Sequence, residues 1–134
     1  FAFKKDTNDT RESAAIYVCR DILEEGAQLA IFDTKVSEEQ IFADLQQPAY
    51  FPDGSKNPRI QVCLDPYQAC HQAHALAILT EWDALKADQL DYPKIYQSME
   101  KPAFLFDGRN LLSMQEMQNI GFGTYSIGRP NHYA

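Results

Sequence analysis

Cysteine and glycine are both scarce in this chain of 134 residues. The three cysteines, Cys19, Cys63 and Cys70, are an odd number without a CxxC pair, which argues against a disulfide scaffold and favours a reducing, cytoplasmic compartment. The six glycines include no G-x-G-x-x-G fingerprint, so the chain carries no dinucleotide-binding turn of that type. A small disulfide-stapled secreted domain is therefore disfavoured.

Positive charge is also in short supply. Twelve Lys and Arg residues stand against nineteen Asp and Glu residues, which gives a formal net charge of −7. This balance argues against nucleic acid or an anionic membrane as a partner, so any phosphate site must be local. The longest apolar run, residues 75–79, is far below the roughly 20 residues of a membrane span, and no signal peptide is visible. We expect one soluble domain over residues 1–134.

Apolar runs of strand length alternate with segments of helical period. The first predicted helix begins near residue 10 or 11, with its N-cap at 9 or 10. The second has Ser37 as its N-cap, and the third begins at Pro66 and runs to about residue 73. Two more predicted helices cover residues 92–99 and 114–119. The predicted strands are residues 1–3, 28–32, 60–64, 75–79 (the most buried), 103–106 and 122–127. Because several strands are continuously apolar, we predict an α/β fold, a Rossmann-like three-layer sandwich with a mostly parallel sheet covered by helices on both faces.

Ligands of such sheets bind at the carboxyl ends of the strands. The first predicted strand end is the most informative, because residues 1–13 bring Lys4, Lys5 and Arg11 near a helix start, where unpaired N–H groups and the helix dipole favour a phosphate. The stretch predicts an anion-binding βα turn, and it opens in mid-strand, so we expect a domain cut from a longer chain. Other polar strand ends are Asp33, residues 80–83 and residues 107–109.

Three segments together resemble a known family. Residues 1–13 (FAFKKDTNDTRES), 80–83 (TEWD) and 106–110 (FDGRN) are similar, in order and spacing, to three signatures of the C-terminal UDP-binding domain of the UDP-glucose/GDP-mannose dehydrogenase family. The resemblance runs to residue 128. It implies an enzyme that oxidises the C6 alcohol of UDP-glucose to a carboxylate with two NAD molecules, giving UDP-glucuronate.

The same resemblance places the chemistry outside these 134 residues. In the family, an N-terminal dinucleotide-binding domain and a central helical segment carry the NAD fingerprint and the catalytic cysteine, and none of the three cysteines here matches that nucleophile. The chain is thus expected to be inactive by itself. Its implied partners are UDP-glucose, NAD bound mainly by the N-terminal domain, and the missing domains of a homo-oligomeric enzyme.

Carried over position by position, the resemblance implies binding residues but no catalytic or metal-binding residue. Arg11 matches the arginine on the NAD side of the cleft, and Arg109 matches the arginine after Asp-Gly that reaches the substrate. Asp6 and Asp9 place negative charge beside this site, and we interpret them as capping and turn residues partly offset by Lys5 and Arg11. The residues implied to meet the nucleotide sugar are Phe3, Lys4, Lys5, Asp6, Thr7, Asn8, Asp9, Thr10 and Arg109.

Two alternatives share these features. A sister enzyme acting on UDP-N-acetylmannosamine or GDP-mannose would have the same architecture, and a non-catalytic nucleotide-sugar-binding module would have the same loop. A phosphoacceptor receiver domain is disfavoured, because its first strand would end in paired acidic residues rather than in Lys4 and Lys5. Within the family that the chain resembles, the match of residues 3–5 and 80–83 favours the UDP-glucose branch, particularly its eukaryotic-type members.

Several polar or aromatic residues receive a structural interpretation. Asp33 could bind a ribose, but no glycine fingerprint precedes it, so we interpret it as structural. Trp82 is interpreted as a packing residue and Asp83 as a helix N-cap. Cys70 and His74 are four residues apart and could share a helix face, yet no further ligand pair has suitable spacing, so a metal site is disfavoured.

Overall fold

A computed structural model describes residues 1–127, and the chain divides into two compact units at residues 69 and 70. Residues 128–134, the end of the predicted single domain, and residue 128 of the resemblance lie outside the described residues. Each unit contains a parallel sheet and helices, so the predicted α/β class is confirmed. The three-layer arrangement and the single domain stay predictions.

The first unit holds a two-stranded parallel sheet, in which Leu29 pairs with Ile60 and Ile31 with Val62. One helix precedes this sheet and packs against a second helix that connects the two strands. A short third helix leads into the second unit. The elements are α1 (Ala14–Glu24), β1 (Leu29–Ile31), α2 (Glu38–Leu45), β2 (Ile60–Val62) and α3 (Pro66–Cys70).

The predicted strand at residues 1–3 is wrong. Phe1 and Ala2 are buried, but their backbone groups bond to side chains rather than to a strand ladder. The Ala2 N–H donates to Asp33 Oδ2 at 3.0 Å, and the Phe1 carbonyl oxygen accepts from the Ser13 hydroxyl at 2.7 Å. The apolar character of the segment reflects burial, and polar side chains take the place of a neighbouring strand.

The predicted start of α1 at residue 10 or 11 is also wrong. The helix begins at Ala14, and Ser13 is its N-cap, with a hydroxyl oxygen that accepts from the Ala15 N–H at 3.3 Å. Glu12 has a left-handed backbone with φ of 58°, which no α-helical residue adopts, so the helix cannot begin earlier. The helix ends at Glu24, and Gly26 follows the C-cap with φ of 90°.

The cap of α2 matches its prediction. The Ser37 hydroxyl oxygen accepts from the Gln40 N–H at 3.1 Å. The helix then buries Ile41, Phe42 and Leu45. By contrast, α3 ends at Cys70 rather than near 73, because Gln72 adopts a left-handed backbone.

The second unit holds a three-stranded parallel sheet in the order β3-β4-β5. Its register places Ile78, Asp107 and Ser126 side by side, so the three carboxyl ends are level. A helix after β4 packs against β5 and against the helix before β4. The elements are β3 (Ala75–Ile78), a 3-10 helix (Asp83–Leu85), α4 (Tyr92–Ser98), β4 (Phe104–Asp107), α5 (Met114–Ile120) and β5 (Gly123–Ser126).

The expectation that residues 75–79 form the most buried strand is wrong. Ala75 and Ala77 are exposed, and within β3 only Ile78 is buried. In this unit β3 lies at the edge of its sheet, and its two alanines share a face with Phe106, which is itself exposed. The strand positions without exposed surface lie instead in β4 and β5, at Leu105 and Thr124.

Candidate functional site

Residues 3–9 form a closed loop in the first unit. The Phe3 N–H donates to the Asp9 carbonyl oxygen at 3.0 Å, which joins the two ends of the loop. Inside it, the Thr7 hydroxyl oxygen accepts from the Asp9 N–H at 3.1 Å. Asp6 turns the chain with a left-handed φ of 62°, a conformation that aspartate tolerates better than most residues. The interpretation of Asp6 as a turn residue is confirmed.

Arg11 holds Asp9 in a two-pronged ion pair. Its Nε lies 3.0 and 3.1 Å from the two carboxylate oxygens, and its Nη2 lies 2.6 Å from Oδ2. The side-chain hydrogen bond from Arg11, with a second from its backbone N–H, lowers the pKa of Asp9 to about 2. The predicted offset of Asp9 by Arg11 is therefore confirmed. The guanidinium still reaches outward, because the Arg11 side chain is 87% exposed.

The lysines of the loop are exposed. Lys4 Nζ lies 5.4 Å from the centroid of the Phe3 ring, within the range of a cation–π contact, so the ring orients one cation at the loop surface. Thr10 is different, because it is buried and only its carbonyl oxygen is engaged with the start of α1, accepting from the Ser13 N–H at 3.1 Å. Thr10 thus belongs to the base of the loop.

Two open depressions flank the loop. Phe3, Asp9, Arg11 and Glu12 line the first. Asp6, Thr7, Asn8 and Lys35 line the second. Lys35 was not predicted for the site, although the signal was present: it lies two residues after Asp33, at the carboxyl end of β1. It adds a third lysine to the two of the loop.

Asp33 is buried, and its carboxylate accepts several hydrogen bonds. Oδ1 accepts from the N–H groups of Lys35 and Val36 at 2.8 and 2.9 Å, and Oδ2 accepts from the Phe1 nitrogen at 2.8 Å as well as from Ala2. Burial by itself would raise the pKa of Asp33, but the hydrogen bonds to its charged form outweigh burial, and the pKa lies below its ordinary value.

Arg109 and its neighbours form the polar end of the sheet in the second unit. Arg109 makes an ion pair with Glu81, and its Nη1 lies 3.5 Å from the Leu79 carbonyl oxygen. The structure therefore brings together two of the predicted strand ends, residues 80–83 and 107–109. Sequence reasoning missed Glu81 as the partner of Arg109, because the pairing depends on the level ends of β3 and β4.

Asp107 and Gly108 hold this turn. The buried Asp107 carboxylate accepts from the N–H groups of Arg109 at 3.1 Å and Leu112 at 2.8 Å. The Gly108 N–H donates to the Ile78 carbonyl oxygen at 3.0 Å, and a Cβ at Gly108 would lie 3.2 Å from that oxygen. The close approach of the backbone thus favours glycine at this position.

The predictions for the neighbouring residues Trp82 and Asp83 have different outcomes. Trp82 is 4% exposed, which confirms its packing role. Asp83 is not an N-cap as predicted: Trp82 occupies that position, and Asp83 is the first residue of the 3-10 helix, where its carboxylate pairs with Lys86 at 3.1 Å. If Asp83 were the N-cap, the helix would begin at residue 84. It begins at Asp83, one residue earlier, so Asp83 lies inside the helix.

Of the predicted site residues, 3–11 share one loop of the first unit, while Arg109 belongs to the second unit. Their joint contact with one ligand stays a prediction. Because α3 ends at Cys70, His74 does not share its helix, and within residues 1–127 no group of three or more His, Cys, Asp or Glu is arranged to hold a metal ion. Over the same residues, no helix has the length and apolar character needed to cross a membrane.

The loop with exposed lysines and the strand-end Arg109 both lie within residues 1–114. Residues 1–114 match the model of the UDP-glucose/GDP-mannose dehydrogenase family, UDP binding domain. The chain belongs to this family. The resemblance of residues 1–13, 80–83 and 106–110 is thereby confirmed, since all three segments lie within the matched region.

Curated relatives extend the match over nearly the whole chain. UDP-glucose 6-dehydrogenase of Mus musculus is 50% identical over 131 residues, covering 96% of this chain, and that of Drosophila melanogaster is 51% identical over 130 residues. UDP-glucose 6-dehydrogenase 4 of Arabidopsis thaliana is 46% identical over 139 residues. The match spans 26% of the mouse protein, 27% of the fly protein and 28% of the plant protein, so the chain corresponds to about a quarter of their length.

Proposed function

We propose that this chain is the C-terminal UDP-binding domain of an NAD-dependent UDP-glucose 6-dehydrogenase, the enzyme that converts UDP-glucose to UDP-glucuronate. The observation that carries the proposal is that about half of the residues, over almost all of the chain, are identical to those of proteins named UDP-glucose 6-dehydrogenase. The sister enzymes for other nucleotide sugars are not favoured, because the relatives at this level of identity bear the UDP-glucose name.

The loop residues supply cations for the diphosphate. Lys4 and Lys5 lie within the loop and Lys35 lines the depression beside it, while Arg11 neutralises Asp9, one of the two acidic residues of the loop. A diphosphate therefore meets local positive charge in a domain whose net charge is −7. Residues 3–10 and Arg109 bind the nucleotide sugar in this proposal.

Arg11 is assigned to the NAD side. Its outward guanidinium, fixed at one edge by Asp9, has the rigidity to meet a cofactor phosphate without a large ordering cost. In the enzyme, NAD accepts the hydride. The dinucleotide-binding domain and the catalytic cysteine belong to parts of the enzyme outside the 134 residues. This chain contributes substrate binding and orientation.

The test uses the intact enzyme with Lys4→Ala and Arg109→Ala, and with Lys56→Ala, an exposed lysine outside the loop, as the matched control. Loss of one charge-assisted contact of about 1.5 to 3 kcal/mol raises the KM for UDP-glucose roughly 10- to 100-fold. The control keeps the parental KM. Unchanged KM values in both site variants would refute the assignment of these residues.

The 134-residue chain alone is expected to bind UDP weakly and to reduce no NAD with UDP-glucose. Titration calorimetry with UDP and absorbance at the NADH band measure the two properties. NAD reduction by the purified chain would contradict the division of labour proposed here. A cytoplasmic, homo-oligomeric enzyme is part of the same proposal, supported for the compartment by the three cysteines, all within residues 1–127, none of which forms a disulfide.

A further inference from the structure

We propose that Asp33 and Ser13 act as positioning residues, a two-sided clamp on Phe1 and Ala2 that sets the place of the substrate loop. The clamp comprises the Asp33 carboxylate on the N–H side of this segment and the Ser13 hydroxyl on its carbonyl side. The inference rests on the proposed function for its consequence, because the loop of residues 3–10 is taken to bind UDP-glucose. Its geometry does not depend on that function.

The two oxygens of Asp33 do different work. Oδ1 bonds the N–H groups of Lys35 and Val36, which shapes the turn after β1. Oδ2 bonds the nitrogens of Phe1 and Ala2, which lie 32 and 31 residues earlier in the chain. One buried carboxylate therefore fixes the entry of the substrate loop relative to β1. The Phe1 nitrogen is here a terminal ammonium, so the peptide N–H of Ala2 is the donor on which the clamp rests.

Ser13 completes the clamp from the other side. Its hydroxyl donates to the Phe1 carbonyl oxygen at 2.7 Å and its oxygen accepts from the Ala15 N–H at 3.3 Å, so one side chain caps α1 and holds the loop entry. Ser13 is only 1% exposed, which keeps water from competing for these bonds. The entry of the loop is thus tied to α1 as well as to β1.

The clamp has a direct consequence for the cations. The Phe3 N–H closes the loop on Asp9, and Phe3 carries Lys4 at its ring. A shift of Ala2 would therefore carry Phe3 and Lys4 with it. Asp33 also sets the backbone of Lys35 through Oδ1, and Lys35 lines the depression beside residues 6–8 of the loop.

The experiment compares Asp33→Asn and Ser13→Ala in the intact enzyme, with Asp53→Asn as the matched control. Asp53 also accepts bonds within its own turn, from the N–H and hydroxyl of Ser55, but it has no bond to the loop. An asparagine at 33 keeps one acceptor oxygen and turns its NH₂ toward N–H donors, so one half of the clamp is lost. Ser13→Thr retains the hydroxyl.

We expect Asp33→Asn and Ser13→Ala to raise the KM for UDP-glucose and the Kd for UDP about tenfold, with kcat at saturating substrate changed less than twofold. Ser13→Thr is expected to restore most of the affinity, and Asp53→Asn to leave it unchanged. Amide hydrogen exchange in residues 2–9 should become faster in the first two variants, with no change in β1 and β2.

Each outcome decides a separate question. Parental hydrogen exchange in residues 2–9, or a parental Kd for UDP in the clamp variants, overturns the clamp. If Lys4→Ala weakens UDP binding while the clamp variants do not, the clamp fails and the proposed function stands. If amide hydrogen exchange in residues 2–9 becomes faster in the clamp variants but the Kd for UDP stays parental in these variants and in Lys4→Ala, the proposed function fails. Should Asp33→Asn not fold, the pair Ser13→Ala and Ser13→Thr decides the question alone.

Discussion

Each unit uses a buried aspartate after a parallel strand, but the two act over very different distances along the chain. Asp107, the last residue of β4, accepts bonds from residues two and five positions later. Asp33, two residues after β1, accepts bonds from its own turn and from a segment 31 residues earlier. These two bonds to Asp107 lie within one turn, whereas the loop of the first unit depends on a contact between residues far apart in the chain.

The cations of the two regions are also held differently. Arg109 makes an ion pair with Glu81 at the level ends of β3 and β4. Lys4 rests over the ring of its neighbour Phe3, with no need of another element. Arg109, which follows Asp107 closely, is thus placed by a contact between two strand ends, whereas Lys4 is placed by the residue beside it in the chain.

The largest expected effect comes from breaking the local aspartate. Asp107→Ala leaves the buried N–H groups of Arg109 and Leu112 without this acceptor, which should cost about 2 to 4 kcal/mol in the free energy of unfolding. Urea unfolding followed by hydrogen exchange in β4 and β5 measures the loss. Asp107→Asn, which retains one acceptor oxygen, should lose about half as much; equal losses would show that the two bonds are not separable.

A smaller effect is expected from Gly108→Ala. The added Cβ meets the Ile78 carbonyl oxygen at 3.2 Å, so the turn must shift by a few tenths of an ångström, at a cost of about 1 kcal/mol. Because Arg109 follows directly, the KM for UDP-glucose should rise roughly 2- to 10-fold in the intact enzyme. A parental KM would indicate that the turn absorbs the methyl group without moving Arg109.

The pH response of the loop gives a third test. The pKa of Asp9 is about 2 in the presence of Arg11, so the ion pair should persist as the pH falls through 4 and break only near 2. The ion pair contributes its full stability above the pKa of Asp9 in the unfolded chain, and this contribution is lost as the pH falls from that value toward the folded pKa of about 2. In Arg11→Ala the pKa of the Asp9 carboxyl should rise toward its ordinary value of 3.8 but stay below it, because the backbone N–H of residue 11 still donates to Oδ1; carbon-13 NMR of the side chain measures it. A midpoint that stays near 2 would place the cause in the backbone instead.

The smallest effect is expected from Glu81→Gln. The Glu81 and Arg109 side chains are 24% and 32% exposed, so solvent screens their attraction, and the free energy of unfolding should change by less than about 1 kcal/mol. Thermal unfolding of the variant beside Lys86→Gln, which breaks the exposed Asp83 pair, checks this value. A loss well above that of the control would mean that this ion pair holds the strand ends together.

Much of the fold could be predicted because it is encoded locally. Ser37 caps α2 as expected, and Gly121 ends α5 with a positive φ, since each depends on residues within one helical turn. The strand at residues 1–3 and the early start of α1 could not be predicted correctly. Their true conformation depends on the carboxylate of Asp33 and on the left-handed backbone of Glu12.

The candidate site divides in the same way. The loop residues and Arg109 were identified through motifs that are continuous in the sequence. Lys35 and Glu81 were not identified, because a contact between chain-distant side chains depends on which strand ends lie level with one another, and no local propensity contains that information.

By itself the sequence determined the alternation of strands and helices, the Ser37 cap of α2, and the chemistry of the loop that links this chain to its family. Only the tertiary structure decided which groups satisfy the buried backbone of Phe1 and Ala2, and so where the loop lies. The physical reason is that a buried N–H must find an acceptor wherever the packed chain offers one, and here that acceptor, Asp33, is 31 residues away from Ala2.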